Sequence, residues 1–225
     1  MTGGGVRRVG VRRVGAWRAG VWLSCLLAVV AGAFVWTRQL NGMPLVGLDI
    51  AYVTDDVRGA VHPVAHEYVG HFAGLVECVF LVGLTVGVRG PRARFVAGGV
   101  LLLVAAVLVA VGLRTLGEVP PYLDPSRTAA GRFAAAVVFA LALLALCGAV
   151  ALARRWFVFH DGFVTGLLAG AGSLHLVAIF LLASALDPPM ELTGWAWVPG
   201  VCHLLAAGCV AVWAAGRREA APSPG

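Results

Sequence analysis

The sequence predicts an all-α fold: a polytopic membrane bundle of six transmembrane helices with both termini in the cytoplasm. Three observations carry that expectation. Apolar stretches of about 20 residues, long enough to cross a hydrocarbon core, recur along the chain. Hydrophobic residues make up 60% of it and charged residues only 12%, too little charge to coat a water-facing globule of this size. The arginines are concentrated in alternate loops, as membrane topology requires.

Six segments read as spans: Ala16–Thr37, Val64–Val88, Phe95–Leu113, Thr128–Ala153, Phe163–Leu186 and Trp195–Ala215. In lipid an isolated segment must satisfy its own backbone, so each is expected as a helix. The breakers agree, because Gly90-Pro91, Pro120-Pro121 and Pro188-Pro189 all fall between segments. The expected division is an Arg-rich cytoplasmic tail over residues 1–15, a membrane domain over 16–215 with an outer loop at 38–63, and a cytoplasmic tail over 216–225. No internal repeat or soluble module stands out.

Orientation comes from arginine. One set of loops carries Arg7, Arg8, Arg12, Arg13, Arg18, Arg89, Arg92, Arg94, Arg154, Arg155, Arg217 and Arg218, whereas the alternate loops carry Arg38, Arg58, Arg114 and Arg127. The positive-inside rule then puts both termini in the cytoplasm of a bacterial plasma membrane. Acidic residues gather on the other side, at Asp49, Asp55, Asp56, Glu118, Asp124, Asp187 and Glu191. Trp17, Trp36, Trp195 and Trp213 lie near segment ends, where an aromatic belt is expected. The net charge of +6 would suggest nucleic acid in a soluble protein; here it belongs to the topology signal, and the expected partner is the lipid bilayer. The basic residues are all Arg, with a single Asn and two Ile, a composition that marks a GC-rich genome.

The first segment has a rival reading. Its arginines, short apolar core and Ala31-Gly32-Ala33 resemble a signal peptide with a small-residue cleavage site. The apolar run continues through Phe34, Val35 and Trp36, which favours a retained helix. In the outer loop, Leu45 to Val53 reads as an interfacial or partly re-entrant stretch. Cys25, Cys78, Cys147, Cys202 and Cys209 all lie within apolar segments and read as small core residues.

Ionisable residues inside spans are costly and mark function by default. The densest run is His62-Pro63-Val64-Ala65-His66-Glu67-Tyr68-Val69-Gly70-His71, followed by Glu77. At about 100° per residue, His62, His66 and Glu77 share one helix face while Glu67 and His71 form an i,i+4 pair beside it. The run differs from a zincin motif, because Gly70 rather than His follows His66 by four residues. A looser metal site could use His62, His66 and an outer-loop Asp. His175 and His203 sit well inside the fifth and sixth segments. Two such imidazoles on adjacent helices are candidate axial ligands for a haem, although most intramembrane histidines bond a neighbouring helix. His203 shares its face with Gly200, Ala207, Ala211 and Ala214, which points it into close packing. Counted from the outer helix ends, His71, His203, His175 and Glu77 lie about 10, 12, 16 and 20 Å deep. A carboxyl as deep as Glu77 is a candidate proton donor.

Several features resemble a set of six-helix actinobacterial membrane proteins grouped as a domain of unknown function. They are Gly83-Leu84-Thr85-Val86-Gly87-Val88-Arg89 ending the second helix, a Gly-rich third helix, a turn from Pro120 to Asp124, Gly131-Arg132-Phe133 opening the fourth helix, and Arg154-Arg155 after it. The Ser-Glu-Leu-Gly element of that family is not visible, and Asp55-Asp56-Val57-Arg58-Gly59 stands near its place. The family supplies no activity, so it transfers no site. Small membrane terpene cyclases are similar in size and helix count only, and supply a mechanism class.

These features frame three functional expectations. The first is a membrane-embedded acid–base enzyme acting on a lipid or isoprenoid, with Glu77 as general acid and His71, His203 or Glu67 assisting. The second is a haem or metal protein, with His175 and His203, or His62 and His66, as ligands. The third is a permease subunit or non-catalytic partner of another membrane protein.

Overall fold

The computed structural model describes residues 4–38, 43–47, 62–69, 81–118, 125–186 and 191–219. In chain order they form α1 (Gly4–Gly32), β1 (Val35–Arg38), β2 (Pro44–Val46), α2 (Pro63–Glu67), α3 (Pro91–Glu118), α4 (Pro125–Ala153), α5 (Phe157–Ala183), a 3-10 turn (Gly194–Ala196) and α6 (Val198–Glu219). Four stretches are long and apolar enough to cross a membrane: Pro91–Gly117, Gly131–Ala153, Phe157–Ala183 and Gly194–Gly216. They correspond to the last four expected spans. The second expected span is described only at its two ends, by α2 and by a helical turn at 81–83.

The helices pack side by side in the order α3, α4, α5, α6, α1, and α2 lies against α4 and α5. The packed faces are rich in small residues. Ala134, Ala135, Ala142 and Ala145 of α4 are buried, as are Ala178 of α5 and Ala206 and Ala207 of α6. Small side chains let helix backbones approach closely, which is how helices associate where water supplies no hydrophobic drive. The opposite faces expose large apolar groups, among them Phe95, Leu103, Leu143 and Phe180. Such broad outward apolar faces suit hydrocarbon surroundings.

The first span departs from expectation. Ala16–Gly32 is apolar and helical, but α1 stops at Gly32, and Val35–Arg38 pairs antiparallel with Pro44–Val46, with a register irregularity between Val35 and Thr37. α1 also starts at Gly4, so helix reaches into the arginine-rich residues expected as a tail. The cause of the early stop is local. Beyond Gly32 the chain turns, and the Trp36 indole N–H donates back to the Ala31 carbonyl oxygen at 2.8 Å. β1 is then tied to the segment before α6. Thr193 N–H donates to Trp36 O at 2.7 Å, and the Thr193 hydroxyl donates to Val35 O at 2.7 Å. Phe34 stacks on Trp195 with ring centroids 4.2 Å apart. The strand pair closes one end of the bundle and places Trp36 inside it, not in the expected interfacial belt. Trp213 is likewise buried.

At the opposite end, α4 finishes in a Schellman motif. Trp156 N–H donates to Ala151 O at 2.8 Å and Arg155 N–H donates to Leu152 O at 3.2 Å. The C′ position of that motif needs left-handed backbone and usually carries glycine. Here it is Arg155, at φ 62°.

Candidate functional site

Near the closed end, α2, α5, the 3-10 turn and β1 converge on one imidazole. His175 is about 12 Å from the C-terminal end of α5, at 1.5 Å per residue. Its ring is completely buried. Nδ1 lies 2.7 Å from the Tyr68 hydroxyl, and Nε2 lies 2.8 Å from the Ala196 carbonyl oxygen. A carbonyl only accepts, so Nε2 carries the hydrogen and donates to Ala196. In the neutral ring Nδ1 then accepts from the Tyr68 hydroxyl, and both nitrogens are engaged. Trp36 and Tyr68 each meet it edge-on, at centroid separations of 5.6 Å.

His203 lies on α6, one turn and a half past its start, against α5. The helices come this close because of two glycines. A Cβ on Gly172 would fall 2.9 Å from the Gly200 carbonyl oxygen and 3.0 Å from His203 Cβ; a Cβ on Gly200 would fall 2.6 Å from Leu176 Cγ and 3.0 Å from His175 Cδ2. His175 and His203 thus border the same α5–α6 contact. Their situations differ sharply. His203 is also completely buried, yet neither of its ring nitrogens has a hydrogen-bond partner among the described residues. A buried polar atom left unpaired costs about 1–3 kcal/mol, so among the described residues this ring is a costly member of the α5–α6 contact.

The remaining expected site residues divide. His62 is exposed at the N-terminus of α2, where Nδ1 accepts the Val64 N–H at 3.3 Å as a helix cap. His66 is half-buried in the same helix, with Nδ1 buried and unpartnered among the described residues. Glu67 ends α2. His71 and Glu77, the centre of the expected acid–base cluster, lie outside the described residues, as does Cys78. Among the described residues, no group of three or more His, Cys, Asp or Glu side chains is placed to hold a metal ion.

A second buried polar cluster occupies the opposite end, centred on His160 and Asp161, which the sequence does not mark as site residues. Asp161 is fully buried and lies 3.6 Å from the Arg89 guanidinium. Arg89 also sits over the Phe157 ring at 4.2 Å and the Trp213 ring at 5.3 Å, a cation–π cage that partly replaces the lost hydration. Next to Asp161, buried His160 places Nδ1 3.2 Å from Gly148 O and Nε2 3.3 Å from Thr85 O. The Thr85 hydroxyl donates to Val82 O at 2.8 Å. Both His160 nitrogens therefore face acceptors, and a neutral ring donates to only one of them. The fifth span was expected to begin at Phe163, which left His160 and Asp161 in a loop. The apolar run Trp156-Phe157-Val158-Phe159 was the signal that the helix begins earlier. Tyr68 was also passed over, because an uncharged phenol does not stand out in an apolar segment.

Fold and sites together define a multi-pass helical membrane bundle with a buried polar cluster near each end. Compared with protein-family models, curated proteins and solved structures, the chain gives no match.

Proposed function

We propose that this chain performs acid–base chemistry on a lipid or isoprenoid within the bacterial cytoplasmic membrane, spanning it six times with both termini inside. The observation that carries the reading is His203, fully buried with both ring nitrogens unpartnered among the described residues. A buried nitrogen without a hydrogen bond costs about 1–3 kcal/mol of stability, whereas an acid–base site needs a nitrogen that is not already bonded. His175, held by Tyr68 and Ala196, gives His203 a rigid neighbour. The mechanism class is proton-initiated rearrangement. Glu77 gives a proton to an alkene carbon, and a neighbouring C–H of the resulting cation loses its proton to His203 as the double bond re-forms. Transfer from the imidazolium back to the carboxylate closes the proton balance. His71 and Glu67, which form an i,i+4 pair on the same expected helix, assist its reprotonation.

The test compares lipid extracts, by untargeted mass spectrometry, from cells producing wild type, Glu77→Gln or His203→Gln at equal protein levels. The proposal expects an isoprenoid or lipid species that appears with wild type and is lost with both variants. Identical extracts from all three would refute it.

A haem reading has one observation in its favour, the approach of His175 and His203 to one α5–α6 contact. Iron ligation by His175 would require it to release Tyr68 or Ala196, leaving His203 as the readier ligand. A Soret band in purified protein that is lost in His203→Ala would establish this reading over the first.

A further inference from the structure

The lipid-facing surface at the Arg89 end carries a groove that neither polar cluster uses. It has a volume of about 510 Å³ and runs between α3 and α4. Gly98 and Gly99 open it, Leu102 and Val150 form apolar walls, and Arg94 and Arg155 line it on either side. A second groove, of about 420 Å³, runs along the other side of α4 beneath Trp156 and Phe159, and Val150 lines both. Among the described residues, no acidic side chain lines either groove.

Two further observations concern the arginines. Arg94 Nε is buried without a hydrogen-bond partner among the described residues. Arg155 occupies the left-handed C′ position of α4, where glycine sits without strain. A strained residue at a surface junction points to a use for its side chain.

We propose that this face binds one anionic phospholipid, its phosphate held between Arg94 and Arg155 and its acyl chains lying in the two grooves that flank α4. The guanidinium fork matches phosphate oxygens and gives paired hydrogen bonds. The apolar grooves extend away from that charge into the hydrocarbon region, which matches a charged head on apolar tails. A free anion would leave the grooves empty, and a transmembrane helix of another protein would leave the arginines unmatched. Arg94 and Arg155 also belong to the arginine set whose alternation marks the cytoplasmic side, where basic residues attract anionic lipid.

The test reconstitutes the full chain in nanodiscs of equimolar phosphatidylglycerol and phosphatidylcholine and counts retained lipids by native mass spectrometry. Wild type is expected to retain phosphatidylglycerol severalfold over phosphatidylcholine, and the Arg94→Gln/Arg155→Gly double variant is expected to lose that preference. Gly98→Leu fills the first groove, since a Cβ there meets nothing within 4 Å, and is expected to lower retention of both lipids. If the double variant does not fold, Arg155→Gly alone decides, because glycine suits the C′ backbone. An equal ratio of the two lipids on wild type overturns the proposal. A preference unchanged by the arginine substitutions overturns it too, and so does an amount of retained lipid that Gly98→Leu leaves unchanged, since the tails would then lie elsewhere.

Discussion

Replacing Tyr68 by Phe removes one buried oxygen and leaves the ring packing in place, so it removes the bond that holds His175. The hydroxyl lies 2.7 Å from Nδ1, and both residues are buried, so water cannot take its place. Hydrogen bonds between membrane-buried side chains average about 0.6 kcal/mol and reach about 1.7. The short distance and complete burial argue for the upper part of that range, about 1–1.5 kcal/mol. For a chain of this size each kcal/mol lowers the melting temperature by about 2–4 °C, so Tyr68→Phe should melt about 2–6 °C below wild type. His175→Leu removes the bonds to both the Tyr68 hydroxyl and the Ala196 carbonyl, and should cost more. In a double-mutant cycle the combined variant should fall short of the sum of the singles by about the strength of the Tyr68–His175 bond. Differential scanning fluorimetry in one mild detergent gives all four values. Additive effects, or a His175→Leu variant as stable as Tyr68→Phe, would refute the assignment of His175 as a ring fixed from both sides.

Other substitutions probe the packing and the two ends. Gly172→Ala puts a Cβ 2.9 Å from a backbone oxygen on α6, which cannot move cheaply; overpacking of this kind costs about 1–3 kcal/mol, read as a lowered melting temperature. Arg155→Gly relieves a left-handed backbone at φ 62° and should raise stability by up to about 1 kcal/mol, the opposite sign to most glycine substitutions. Asp161→Asn removes the buried carboxylate facing Arg89, and because Arg89 is one-third exposed and held by aromatic rings the loss should be about 1–3 kcal/mol. Arg89→Leu in the Asp161→Asn background should then recover part of that loss, which a melting curve checks directly.

The sequence and the structure agree best where a single physical rule governs a long segment. α3 to α6 are long, continuous and apolar, and hydropathy alone located them, with ends displaced by a few residues. It could not locate the end of α1, because Phe34, Val35 and Trp36 are as apolar in a strand as in a helix; only Trp36 folding back on Ala31 tells the two apart. The same fold-back defeats the interfacial-belt expectation for Trp36. His175 and His203 were legible because ionisable groups stand out in apolar helices. Their opposite states were not, since a partner such as Ala196 O is a backbone group that carries no sequence signal. Arg94 and Arg155 were legible only as topology markers, because every arginine in a cytoplasmic loop serves that rule equally.

The account rests on His203 being retained at a cost to stability, and the most direct test is the melting temperature of His203→Leu against wild type in the same detergent. Leu is close to His in volume and has no polar atom to bury. The variant is expected to melt higher, by several degrees, because two nitrogens with no hydrogen-bond partner among the described residues leave the α5–α6 contact, at about 1–3 kcal/mol each at most. A variant that melts lower would mean that His203 has bonding partners that stabilise the fold, and would remove the reason for assigning it a chemical role.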